Sequence, residues 1–73
     1  MARREEVQIR DDGIRLGQFL KLAGTVDQGS DVKVVLAAGS VAVNGRVETR
    51  RGRQLRHGDR VQVGEATYTV FRR

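Results

Sequence analysis

The chain has 73 residues, 38% hydrophobic and 32% charged, with a formal net charge of +5 at pH 7 and neither cysteine nor proline. That length allows one domain around one core, hiding roughly 60% of the surface the unfolded chain exposes, and the hydrophobic share is too high for a typical disordered tail. Without cysteine, disulfides and thiolate metal sites are excluded, and the longest apolar run, at 34–38, is far too short to cross a bilayer.

From the amino terminus, Arg3-Arg4-Glu5-Glu6 has no apolar stretch behind its charges, which argues against a signal peptide and for a cytoplasmic address. Glu6-Val7-Gln8-Ile9-Arg10 alternates polar and apolar residues and predicts a short strand. Asp11-Asp12-Gly13 predicts a turn. From Arg15 the period changes: Leu16, Phe19, Leu20 and Ala23 fall at i, i+3, i+4 and i+7, one stripe of an amphipathic helix. Gly24 is its expected stop. Residues 25–29 read as a loop, and Ser30 or Asp31 can cap a second helix carrying Val32, Val35 and Leu36 inward and ending at Gly39.

Beyond Gly39 the pattern is that of strands. Val41-Ala42-Val43 runs into Asn44-Gly45, the dipeptide best suited to the two positive φ values of a tight hairpin turn. Residues 46–49 are the return strand and 50–54 a charged loop. Leu55 is expected inside, and His57-Gly58-Asp59 turns into the alternating Arg60-Val61-Gln62-Val63. Gly64-Glu65 turns again before Ala66-Thr67-Tyr68-Thr69-Val70-Phe71, a run of β-formers. The order β-α-α-β-β-β-β predicts an α+β domain over 1–73, with two helices packed on a small, mostly antiparallel sheet and C-terminal hairpins.

Charge is unevenly placed. Residues 1–43 hold six basic and six acidic side chains, so the whole surplus falls in 44–73, where eight arginines face Glu48, Asp59 and Glu65. Twelve of the 14 basic residues are arginine, whose planar fork of donors suits phosphate oxygens better than the compact lysine ammonium. A one-sided, arginine-weighted field is the expected footprint of a polyanion binder.

The combination of Arg15-Leu16 with Leu20, a helix ending at Gly39, Val41-Ala42-Val43-Asn44-Gly45, Leu55 and Gly58-Asp59-Arg60-Val61 resembles the αL RNA-binding domain. That domain is named after the fourth protein of the small ribosomal subunit. The resemblance covers residues 14–63, and the tract 50–55 is most similar to the short, stand-alone bacterial YaaA/YbcJ-like subgroup. It implies a non-catalytic protein that binds structured RNA, ribosomal or transfer RNA, without a cofactor or metal, as a ribosome-associated monomer. Two positions depart from the family pattern. Gly17 stands where most members have aspartate, and Gln28-Gly29 stands where most open the second helix with a hydroxyl residue followed by arginine.

The residues themselves support a binding surface. A first helix that buries Leu16, Phe19 and Leu20 leaves Arg15, Gln18 and Lys21 on its flanks. Lys33 can lie beside them from helix two, Arg46 sits at the hairpin tip, and Arg50, Arg51 and Arg53 surround Gly52 in the loop. Five or six phosphate contacts from this set on a single strand would give a slope of log K against log salt of roughly −3.5 to −4. No aromatic stacking platform is legible, so recognition should rest on shape and backbone. Asn44, Gly45 and Asp59 read as turn residues, and His57 as an exposed or hydrogen-bonded surface residue. No nucleophile–base pair, paired carboxylates or phosphate loop is present, which argues against an enzyme. The alternative is a protein-interaction module that docks on an acidic partner through the same arginines.

Overall fold

The computed structural model describes residues 3–26 and 29–73. In chain order the elements are β1 (Arg3–Ile9), β2 (Gly13–Arg15), α1 (Leu16–Leu22), α2 (Gly29–Ala37), β3 (Val41–Val43), β4 (Arg46–Val47), β5 (Gln54–Arg56), β6 (Arg60–Val63) and β7 (Ala66–Arg72). The α+β class and both helices are as the sequence predicts. Two strands, β2 and β5, are additional, and they pair with each other as an antiparallel ribbon beside the main sheet. The second helix starts at Gly29, so Ser30 and Asp31 lie within its first turn instead of capping it. There Asp31 still favours the helix through the dipole. Of the expected 25–29 loop, residues 27 and 28 lie outside the described residues.

The main sheet runs β1-β7-β6-β3-β4. All its pairs are antiparallel except β1 with β7, which bring the two ends of the sequence together in parallel. β7 therefore lies inside the sheet and β1 forms its edge. The hairpin at Asn44-Gly45 has the expected backbone, with φ of 52° and 88° at the two positions. The Asn44 side chain adds to it, its Oδ1 accepting from the Arg60 N–H and its Nδ2 donating to Asp59.

Pleating sorts the strands into two faces. One carries Val41, Val43, Val61, Tyr68 and Val70, which share a single buried cluster with Leu16, Phe19 and Leu20 of α1, Val32 and Leu36 of α2, and Leu55 of β5. The opposite face has polar cross-strand rows. Arg4, Thr67, Gln62 and Ala42 align in one, and Glu6, Thr69 and Arg60 in the next. Tyr68 belongs to the core, while Phe71 is half-buried on the polar face beside the His57 ring, whose centroid lies 5.6 Å away. His57 Nδ1 accepts the Arg72 N–H, a structural bond of the kind expected for this residue.

Both helices end in the same way. Gly24 N–H donates to the Lys21 carbonyl and Thr25 N–H to Leu20, with Gly24 at φ 78°. The same two bonds recur at Gly39 and Ser40, with Gly39 at φ 74°. These are Schellman closures, which need a residue in the left-handed region where glycine carries no steric cost.

Two substitutions test this packing. Leu20 is fully buried, so Leu20→Ala should cost about 2–5 kcal/mol. At Gly13 an added Cβ would lie 2.9 Å from the Leu55 carbonyl oxygen across the β2–β5 ribbon. Gly13→Ala should therefore cost about 1–3 kcal/mol by overpacking. In a domain of this size each kcal/mol lowers the melting temperature by roughly 4–8 °C, and a melt unchanged in either variant would contradict the arrangement.

Candidate nucleic-acid interface

The first residues of a helix have backbone N–H groups without intrahelical partners. In α1 no side chain caps them, because Arg15 occupies the N-cap and makes no capping bond. The loop that follows β4 supplies the acceptors instead. Leu16 N–H donates to the Arg53 carbonyl at 2.8 Å and Gly17 N–H to the Arg51 carbonyl at 2.9 Å. Gly17 lies flush against this loop, so the backbone at Arg51 is held to the start of the helix.

Glu48 fixes the same loop from its other side. It is only 8% exposed and accepts five hydrogen bonds. Two come from the backbone N–H groups of Thr49 and Arg50, both at 3.1 Å. Three come from guanidinium groups: Arg50 Nε at 3.2 Å, Arg50 Nη2 at 3.4 Å and Arg53 Nη1 at 3.1 Å. These bonds favour the charged carboxylate, and they hold Glu48 down at about 2 from an ordinary 4.5; the Arg50 guanidinium side chain contributes most. Arg50 is held above its own ordinary value by the same contact. The exposed pairs Arg3–Glu5 and Arg72–Asp12 lack this enclosure and contribute little.

The helix and the loop enclose a hollow of about 240 Å³ lined by Arg15, Gly17, Gln18, Lys21, Arg51 and Gly52. Gln18 and Lys21, three residues apart, share one face of α1, and Arg15 joins them from the N-cap; opposite them stand Arg51 and Gly52. No carboxylate lines this hollow, and among the described residues Arg15, Lys21 and Arg51 form no ion pair. The arrangement offers guanidinium, ammonium and amide donors around a concave surface, which is the chemistry that receives phosphate oxygens.

Of the eight residues singled out in the sequence, Arg15, Gln18, Lys21 and Arg51 meet at this hollow. Arg50 and Arg53 flank it but share the charge of Glu48, although the Arg50 side chain remains 75% exposed. Lys33 on α2 and Arg46 on β4 are exposed and do not line it. Glu48 is the residue that sequence reasoning missed. Counted only as one of three acids against eight arginines, it is in fact the organiser of two of them. Its position two residues before Arg50 and five before Arg53 was the available signal.

Because its value is lowered by folding, Glu48 contributes stability that is fully present above the ordinary carboxylate range. That contribution is lost as the pH falls from about 4.5 through about 2. Melting temperatures of the natural chain and of Glu48→Gln should therefore differ most near neutral pH and converge on acidification. A difference independent of pH would contradict the role given to this carboxylate.

Comparison with known proteins places the chain. The model of the S4 domain matches residues 7–71. The probable ribosome maturation protein RlbA of Bacillus subtilis (strain 168) is 42% identical over 57 residues, which are 78% of this chain and 80% of that protein. Among solved structures, the 30S ribosomal protein S4e of Thermoplasma acidophilum superposes with a TM-score of 0.61 at 21% identity, over 81% of this chain. The chain spans 31% of the length of that ribosomal protein, and at this identity the likeness concerns the fold. The family resembled by the helix, hairpin and Gly58-Asp59 motifs is thus the one found: the chain belongs to the S4 domain family.

Proposed function

We propose that this protein binds structured RNA of the ribosome without catalysing a reaction on it, acting in the cytoplasm as a monomer. The observation that carries the reading is the hollow between α1 and the 51–52 loop, where Arg15, Lys21 and Arg51 converge with no carboxylate among the lining residues. Membership of the S4 domain family supports it, as does the likeness to the Bacillus subtilis probable ribosome maturation protein. Binding proceeds by phosphate contacts from Arg15, Lys21 and Arg51, with Gln18 donating from the same helix face and Gly52 letting the loop backbone approach closely. Arg50, Arg53, Lys33 and Arg46 supply the surrounding field.

Glu48 changes the expected magnitude. With two guanidinium groups already sharing a carboxylate, three or four full phosphate contacts remain, and the slope of log K against log salt on a single strand becomes about −2 to −3. Arg15→Ala combined with Arg51→Ala should weaken binding to a ribosomal RNA fragment at least about tenfold, or about 1.4 kcal/mol, while the melt is preserved. Arg50→Ala combined with Arg53→Ala should weaken binding less and destabilise more, because Glu48 loses its partners. Fluorescence anisotropy across a salt series measures affinity and slope together, and full affinity in the first double variant would overturn the reading.

A further inference from the structure

The polar face of the main sheet is concave and has no layer of the described chain packed over it. Arg4 of β1, Gln62 and Arg60 of β6, Thr67 and Thr69 of β7, and the Asn44-Gly45 turn line a basin of about 510 Å³. Arg4 and Arg60 stand on either side of β7, two strand spacings or about 10 Å apart across the sheet. Among the described residues neither is in an ion pair.

A solvated sheet face is ordinary in itself, and such faces commonly mix both signs of charge. Among the described residues, arginine is the only charged lining of this basin. The adjacent acids are otherwise placed. Asp59 uses one oxygen for Asn44 Nδ2 at 3.1 Å and the other for the Arg56 N–H at 2.8 Å. Glu6 shares the face and the row of Thr69 and Arg60 but lies outside the lining. The floor between the arginines consists of threonine hydroxyls and the Gln62 amide. Hydroxyl, amide and guanidinium donors are the groups that contact phosphate and sugar. Among the described residues no large apolar or aromatic side chain lines the basin, whereas protein–protein contacts depend on such anchors.

We propose that this basin is a second phosphate-binding surface for RNA, so that the domain holds two RNA segments at once. One lies in the hollow at α1 and the other across the sheet, with the buried core between them. The proposal rests on the RNA-binding reading above and adds a separate site to it. Arg4 and Arg60 each neutralise a backbone phosphate, and Thr67, Thr69 and Gln62 donate to phosphate or sugar oxygens between them.

The test follows backbone amide resonances of the full, isotope-labelled chain during titration with single-stranded oligouridylate and, separately, with polyglutamate. With oligouridylate, Gln62, Thr67 and Thr69 should shift together with Gln18 and Gly52. In Arg4→Ala/Arg60→Ala the sheet-side shifts should disappear while the helix-side shifts remain, and the salt slope should fall by about 1.4, two contacts at about 0.7 each. In Arg15→Ala/Arg51→Ala the opposite set should disappear. Helix-side shifts alone in the natural chain would overturn the second site and leave the first standing. Sheet-side shifts with polyglutamate but not oligouridylate would overturn it in favour of an acidic protein partner. No shifts on either side, with oligouridylate or with the ribosomal RNA fragment, would overturn both readings.

Discussion

Two hydrogen bonds between the start of α1 and the 51–53 carbonyls determine how the basic surface is built. A helix of seven residues is too short to be stable alone, since nucleation is costly and most helical stability comes from packing. Its exposed N–H groups also need acceptors. The loop satisfies two of them, and in doing so becomes part of the helix terminus. Arg51 and Gly52 then face Arg15, Gln18 and Lys21 without any direct side-chain contact being required to bring them together. Two of the donors at the helix start, the Leu16 and Gly17 N–H groups, are taken up in this junction, so the side chains of Arg15, Lys21 and Arg51 supply the main attraction for an anion.

Holding several cations close together has an electrostatic cost, and Glu48 offsets it. The buried carboxylate accepts from both Arg50 and Arg53 and from two backbone groups, which satisfies it as burial demands. It also gives the loop one conformation. A loop ordered in advance loses less entropy when a ligand binds. Part of the positive charge is therefore exchanged for order, and the cations left facing the hollow, Arg15, Lys21 and Arg51, are in no ion pair among the described residues.

Local signals in the sequence carried far. The stripe Leu16, Phe19, Leu20 located α1 because helix burial is periodic, and Asn44-Gly45 located its hairpin because few dipeptides accept two positive φ values. The alternation in Arg60-Val61-Gln62-Val63 marked a strand with one wet face. What escaped was non-local. The three-residue strands β2 and β5 are too short to show a period, and they exist because they pair with each other across about forty residues of chain. The parallel pairing of β1 with β7 joins the two ends of the sequence, and no local pattern specifies a partner at that distance. The same reason hid Arg4 and Arg60: only the order β1-β7-β6 places them around one basin. Gln18 and Lys21 were visible as one helix face with Arg15 at its start, whereas the tie between Glu48 and two nearby arginines depended on how the loop folds back.

The cationic surface of this fold is proposed to meet ribosomal RNA. The most direct measurement is recovery of the tagged protein from cell lysate at low and high salt, with and without ribonuclease, followed by sequencing of the recovered RNA. Ribosomal RNA should be enriched at low salt and lost at high salt. Proteins retained after ribonuclease treatment, with no RNA enriched, would contradict it.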